Sequence, residues 1–323
     1  MGEFEFLAKF RDRLPSGADV FLGSGDDAAI TRGAGATATS VDAVVDGVHF
    51  RRGVATPREI GHKALAAALS DLAAMGAGAG EAFVVLGIPP DLDEEGCLEI
   101  ADGVADVARP LGVAVVGGDA TRSPVLFVSI TVTGHAPGPE AFVTRAGARP
   151  GDILVLTGEI GGASCGLALL DDGADGPDLV AGQGDKLRGR QLRPWPRLEA
   201  GEALAQAGAT AMIDVSDGLG ADAGHLAKAS GVSLLIDAAA VPLAPGVEQV
   251  ARARGRDPLE MALGGGEDYE LLAALPPESV GQLGSKAGGV PLTVIGEVEG
   301  GEGVAVSSPD GPRRLPRGYD QLD

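Results

Sequence analysis

The stretch Ile213-Asp214-Val215-Ser216-Asp217-Gly218-Leu219 decides how the chain is read. Apolar Ala211-Met212-Ile213 leads into two aspartates three residues apart, with a serine between them and a glycine after. That order describes a buried strand ending in a turn that opens a helix. Ser216 or Asp217 is placed to cap the helix, and Gly218 lets the backbone bend. Taken alone, the stretch is a helix cap with a spare acid. Taken with the rest of the chain, both carboxylates become candidates to hold a divalent metal.

Outward from this stretch, strands and helices alternate on both sides, which gives an α/β or α+β class with two domains. C-terminal to it, a helix runs to residue 229 and a strand follows at 232–236. Gly264-Gly265-Gly266-Glu267-Asp268-Tyr269-Glu270 then leads into a strand at 271–275, with further strands at 292–298 and 304–306. N-terminal to it lie a strand at 153–157, a helix at 163–170, and a polar, acidic insertion at 171–187 expected to be mobile. Pro137-Gly138-Pro139 marks a linker. Before the linker come an amphipathic helix at 3–14 and Gly25-Asp26-Asp27-Ala28. A strand at 37–45 carries Asp42, and a helix opens at Thr56-Pro57-Arg58-Glu59 with a full capping signal. Its expected inward stripe is Ile60, Ala64, Ala67, Ala68, Asp71 and Met75. Strands at 82–88, 113–116 and 126–133 flank a helix at 93–111, and Gly117-Gly118-Asp119 reads as a turn.

The chain has 323 residues, long enough for two domains, and 45% hydrophobic residues, enough for folded cores. With 46 acids against 25 bases its net charge is −21, which argues against nucleic acid and anionic membranes as partners. Divalent cations would still let such a protein bind a phosphorylated ligand. Cys97 and Cys165 match no zinc spacing and suit a reducing cytoplasm. Neither a signal peptide nor a run of 18 apolar residues occurs, so a soluble, cytoplasmic protein is expected.

Five segments combine a strand or helix end, small residues and aspartate, and supply six acids: Asp27, Asp42, Asp71, Asp119 and the pair Asp214 and Asp217. Two bare carboxylates about 5 Å apart repel by roughly 3 kcal/mol at an effective dielectric near 20, so a cluster of them needs cations or protons. Oxygen-only ligation favours Mg²⁺ or Mn²⁺ over zinc, and such ions carry nucleoside triphosphates. No Walker A pattern and no protein-kinase signature occurs. Gly158-Glu159-Ile160-Gly161-Gly162 lacks the third element of a dinucleotide fingerprint, and neither cysteine sits in a nucleophile motif. Of His49, His62, His135 and His225, His49 is the best placed to touch a ligand.

Together with Gly47-Val48-His49-Phe50, Ser70-Asp71-Leu72-Ala73-Ala74-Met75-Gly76, Thr144-Arg145-Ala146-Gly147, Pro150-Gly151-Asp152 and Gly318-Tyr319-Asp320, these collinear motifs span almost the whole chain. The chain resembles the thiamine-monophosphate kinase family, in the superfamily of aminoimidazole ribonucleotide synthetase and selenophosphate synthetase. The resemblance implies a two-domain synthetase-like fold. Residues 1–138 would form an ATP- and metal-binding domain whose sheet builds a barrel with that of a second subunit in a homodimer. Residues 150–323 would form an α+β domain closing the active-site cleft. It implies phosphorylation of thiamine monophosphate by ATP with several Mg²⁺ ions. Carried over by position, the metal ligands would be Asp27, Ser40, Val41 (through its backbone), Asp42, Asp71, Asp119, Asp214 and Asp217. ATP contacts would be Gly118, Asp119, Arg145 and Ser216, substrate contacts His49, Glu267 and Tyr319, and the catalytic set Asp119, Arg145 and Asp217.

Val41 stands where the family usually has threonine, Ala120 and Ser123 alter the stretch after Gly118, and Gln321-Leu322 replaces a usual His-Phe. The rivals are another ATP-dependent synthetase of the superfamily and a non-catalytic Mg-nucleotide sensor. Selenophosphate synthetase would need a reactive Cys in a glycine-rich N-terminal segment, and Cys97 lies in an expected helix.

Overall fold

The computed structural model describes residues 9–10, 12–15, 17, 20–22, 30–31, 35–172, 179–308, 311 and 318. Most of the expected helix at 3–14 lies outside them. The protein is mixed α/β and divides into two compact units: Met1–Leu72 with Ala77–Pro139, and Ala73–Gly76 with Glu140–Asp323.

In the first unit, β1 (Val20–Leu22) and β2 (Ile30–Thr31) pair antiparallel. The main sheet contains β3 (Ala36–Val45), β4 (Gly78–Ile88), β5 (Ala114–Arg122) and β6 (Phe127–Ala136), in the order β3-β6-β4-β5. Only β4 and β5 run parallel, joined through helix α2 (Glu94–Leu111), as a βαβ crossover requires. Strand β6 shows the two-residue period of a half-covered sheet: Val128, Ile130 and Val132 are buried, whereas Phe127, Ser129, Thr131 and Thr133 are half-buried. Helix α1 (Pro57–Ala74) starts as expected, with Thr56 N donating to Glu59 Oε2 (2.9 Å) and Glu59 N to Thr56 Oγ1 (3.3 Å).

Two expectations fail here. Gly117-Gly118-Asp119 is no turn but part of β5, paired in parallel register with Phe83, Val84 and Val85. The strand continues because the ladder to β4 uses backbone groups, which glycine supplies as well as any residue. Helix α1 buries more than one stripe, since every residue from 60 to 70 is buried. The reason lies on its other side, where α2 comes into backbone contact. A Cβ on Gly61 would stand 2.0 Å from Ile100 O, and one on Gly103 1.9 Å from Arg58 O.

In the second unit, β7 (Ile153–Thr157), β8 (Ala211–Asp214), β9 (Ser233–Asp237), β10 (Leu271–Leu275), β11 (Lys286–Ala287), β12 (Val290–Glu299) and β13 (Gly303–Ser307) form one sheet. The order is β13-β9-β12-β7-β10-β8 with β11 on β12, and only β13 and β9 are parallel. Strand β10 is buried throughout between β7 and β8. The helices are α3 (Gly162–Asp172), α4 (Gln183–Leu192), α5 (Leu198–Gln206), α6 (Leu219–Ser230), α7 (Val247–Ala253), α8 (Pro258–Gly264) and α9 (Pro277–Leu283). Leu154, Leu156, Ile213, Leu226, Ile236, Leu272 and Ile295 centre the core under α6. Residues 183–187 of the expected insertion open helix α4 instead.

Candidate active site

On β3, Ser40 and Asp42 are two residues apart and share a face with buried Val44, so they lie on the core side of the sheet. Asp71 sits half-buried in the last turn of α1, where the helix dipole opposes a carboxylate, and it accepts a hydrogen bond from Ser40 Oγ. Ala43 N donates to Asp42 Oδ1 at 2.7 Å, and Ser129 Oγ donates to the Asp42 carbonyl at 3.1 Å. Val41 is 64% exposed on the opposite face, so its side chain takes no part in this group.

His49 lies in the turn after β3. Val45 N donates to its Nδ1 (3.2 Å) and buried Lys63 Nζ to its carbonyl (3.0 Å). With Nδ1 accepting, the ring proton belongs on Nε2, which is thereby a donor. Gly118 and Asp119 stand apart. They lie on β5, three strand spacings or about 14 Å across the sheet from β3. Asp119 is exposed, with Ala120 N donating to its Oδ1 at 2.8 Å. Asp27 lies outside the described residues.

In the second unit β8 ends at Asp214 and α6 begins at Leu219, as the opening stretch suggests. The cap differs from expectation. Gly218 is the N-cap, at φ 110° and with no side chain to offer, so neither Ser216 nor Asp217 caps the helix. Asp222, in the first turn of α6, instead ties down the turn that precedes the helix. Its Oδ2 accepts from Ser216 N and Asp217 N, both at 3.0 Å. Asp222 is buried, and Asp217, Asp222 and His225 offer ligand atoms within 4.8 Å of one another. Burial, then the Asp214 and Asp217 carboxylates, push the Asp222 carboxyl up to about 8, against the pull of the two backbone donors. Sequence reasoning missed Asp222 and His225. The available signal was an acid in the first turn of a helix whose N-cap is glycine.

The carbonyl side of the same turn is held by residues 266–270. Glu267 N donates to Ser216 O (2.8 Å), Tyr269 N to Val215 O (2.9 Å), and Val215 N to Glu270 O (2.7 Å). A Cβ on Gly266 would stand 2.4 Å from Ser216 O, so only glycine allows this approach. Glu267 and Tyr269 take left-handed φ values of 67° and 50°, which cost about 1–2 kcal/mol each. Strain of this kind collects at functional sites, and Glu267 was an expected substrate contact. Its Oε2 accepts from Nε2 of buried Gln191 at 2.5 Å.

Asp268 and Glu270, which alternate with them, point inward. Asp268 accepts from Gly161 N (2.6 Å) and Ala163 N (2.9 Å), capping α3 from a distant part of the chain. Glu270 is fully buried and takes Arg197 Nε (2.8 Å) and Nη2 (2.6 Å), with Thr157 Oγ1 at 2.7 Å.

Arg145 lies elsewhere in this unit. Met212 N donates to Thr144 O (3.0 Å), and Ser230 Oγ, at the last residue of α6, donates to Arg145 O (3.0 Å). Its backbone is therefore a helix length, about 18 Å for 12 residues, from the Asp217 end of α6. Tyr319 lies outside the described residues. Its neighbour Gly318 rests on the start of α6, where an added Cβ would stand 2.4 Å from Ala221 Cβ and 2.8 Å from Asp217 O.

These groups supply carboxylate and hydroxyl oxygens in both units, hard donors of the kind Mg²⁺ takes. No helix among the described residues is long and apolar enough to cross a membrane.

Comparison with known proteins gives consistent matches across this framework. The AIR synthase related protein N-terminal domain matches residues 25–136, and the corresponding C-terminal domain matches residues 149–308. The chain is 38% identical to thiamine-monophosphate kinase of Escherichia coli K12 over 329 aligned positions, covering 99% of this chain and 98% of that one. It is similar in structure to thiamine-monophosphate kinase from Stenotrophomonas maltophilia, with a TM-score of 0.81 and 35% identity over 95% of this chain and 97% of that one. It is also similar to AaThiL complexed with AMPPCP and TMP, with a TM-score of 0.78 and 34% identity over 88% and 86% of the two chains.

Proposed function

The chain belongs to the AIR synthase related family, as one of its thiamine-monophosphate kinases, and from that premise we propose that it transfers the γ-phosphoryl group of ATP to thiamine monophosphate. A bond forms between a phosphate oxygen of thiamine monophosphate and the γ-phosphorus. The bond from that phosphorus to the β–γ bridging oxygen breaks, releasing ADP and thiamine diphosphate. The observation that carries this reading is the oxygen-rich turn at Asp214, Ser216 and Asp217, in a chain alike over nearly its whole length to kinases of this name. AMPPCP, the ligand of AaThiL, is an ATP analogue, which supports ATP as the donor.

The acceptor oxygen is already ionised near neutral pH, so no general base is required. What the transfer needs is alignment of two polyanions and neutralisation of their charge. Mg²⁺ would supply that neutralisation when bound, held by Asp27, Ser40, the Val41 backbone, Asp42, Asp71, Asp119, Asp214 and Asp217. The donor types fit, because all are oxygen ligands, and at the β8–α6 turn burial together with the Asp214 and Asp217 carboxylates disfavours the charge of Asp222. His49 presents Nε2–H to the substrate, its ring oriented by Val45 N. Ser216, Gly118, Asp119 and Arg145 contact ATP. Glu267, pinned by Gln191, and Tyr319 contact the thiamine end.

Transfer is direct and in line, with no phosphorylated protein. Rapid quenching during turnover with radiolabelled ATP tests this step, and a labelled protein band would overturn it. The reaction itself is tested by incubating the chain with Mg-ATP and thiamine monophosphate. Stoichiometric thiamine diphosphate and ADP are expected, and ADP without thiamine diphosphate would reject the substrate.

The protein works as a homodimer in the cytoplasm. Support for the dimer is the outer face of the first unit's sheet, where Val41 is exposed and Phe83, Val85 and Phe127 are half-buried. A second copy of the chain would cover it, and Val41→Lys is expected to shift sedimentation toward a monomer.

A further inference from the structure

Consecutive backbone N–H groups at the end of a strand and the start of a helix are a ready anion site, and many nucleotide-binding proteins place a phosphate there. The β8–α6 turn offers such a pair, Ser216 N and Asp217 N, yet one oxygen of Asp222 takes both at 3.0 Å. Asp222 is 2% exposed and comes from the helix that the turn opens. Three neighbouring backbone groups of the turn are held by the segment at 267–270. Val215 N donates to Glu270 O, while Val215 O and Ser216 O accept from Tyr269 N and Glu267 N.

We propose that Asp222 is a positioning residue for nucleotide binding. By filling the amide pair it fixes the Ser216 hydroxyl and the Asp217 carboxylate, and it closes that pair to direct contact with phosphate. The nucleotide's phosphates must then be bound through cations rather than through these amides. This rests on the reading of the turn as part of a Mg-nucleotide site, and it deepens that reading without depending on the identity of the acceptor.

The test is binding of a fluorescent, non-hydrolysable ATP analogue titrated with Mg²⁺, without thiamine monophosphate. Asp222→Ala is expected to raise the Mg²⁺ concentration for half-maximal binding at least tenfold. Asp222→Asn, which keeps an acceptor oxygen for the two amides, is expected to stay within threefold of the wild type. An alanine variant within threefold would overturn the proposal. So would an asparagine variant as weak as alanine, because the carboxylate would then act by its charge. Should Asp222→Ala fail to fold, amide exchange decides on the wild type and the asparagine variant. Ser216 and Asp217 are expected to exchange as slowly as the β8 amides, and fast exchange overturns the assignment. Wild-type protein that binds Mg-nucleotide but makes no thiamine diphosphate would reject the proposed reaction and leave this inference standing. Wild-type protein that binds no nucleotide would overturn both.

Discussion

In two strand–turn–helix connections of the second unit, β7 into α3 and β8 into α6, a buried aspartate accepts two backbone N–H groups near the helix start. Their surroundings differ. Around the first, the acids are matched by bases: Glu270 takes a bidentate Arg197, and Glu159 takes Arg190, whose charge also reaches Asp268. Around the second, the neighbours that shift Asp222 are two further aspartates, Asp214 and Asp217. The same local architecture is thus neutralised by the protein in one place and loaded with negative charge in the other. A neutralised turn supports the fold, whereas a charge-loaded turn asks for cations from solution.

The largest effect should come from unbalancing the first turn. Arg197→Ala strands the Glu270 carboxylate in the core and is expected to cost about 3–5 kcal/mol in urea unfolding. A loss below 1 kcal/mol would break the contrast. Next, Asp217→Asn should lower turnover at least a hundredfold, about 3 kcal/mol on the barrier, with no loss of unfolding free energy. Loss of stability in step with activity would make the second turn structural like the first.

The third concerns pH. Burial, offset in part by its two backbone donors, pushes Asp268 up to about 7, against about 3.9 for an unfolded aspartate. Between those values the folded state holds more protons, so this residue's contribution is full at low pH and is lost as pH rises through 7. The stability of the wild type relative to Asp268→Asn should therefore fall by about 3 kcal/mol from pH 5 to pH 8, followed by denaturant melts. A pH-independent difference would remove the assigned shift. The smallest effect is expected at the partly exposed Glu159–Arg190 pair, where Glu159→Gln should change stability by at most about 1 kcal/mol and turnover by less than twofold.

Much of this was legible in the sequence, for local reasons. Strands β7 and β10 lie where short, largely apolar runs placed them, and the capping signal at Thr56 and Glu59 forms the expected bonds. The contact between Ser40 and Asp71 joins two positions singled out as ligands. What sequence could not supply were bonds from side chains to distant backbone. The Asp268 carboxylate reaches N–H groups more than a hundred positions away, and no spacing rule announces such a cap. Asp222 was hidden more shallowly, because a glycine N-cap made Ser216 and Asp217 look like the capping residues. The left-handed backbone at Glu267 and Tyr269 is imposed by the bonds to Val215 and Ser216, against the preference of both residues.

The contrast between the two turns reduces to where divalent cations bind. Mn²⁺ titration followed by electron paramagnetic resonance, with a non-hydrolysable ATP analogue present, measures this on three proteins: the wild type, the Asp214→Asn/Asp217→Asn double variant, and Asp268→Asn. The double variant is expected to lose at least one bound ion, while Asp268→Asn keeps the wild-type number. Equal Mn²⁺ binding by all three would contradict the account.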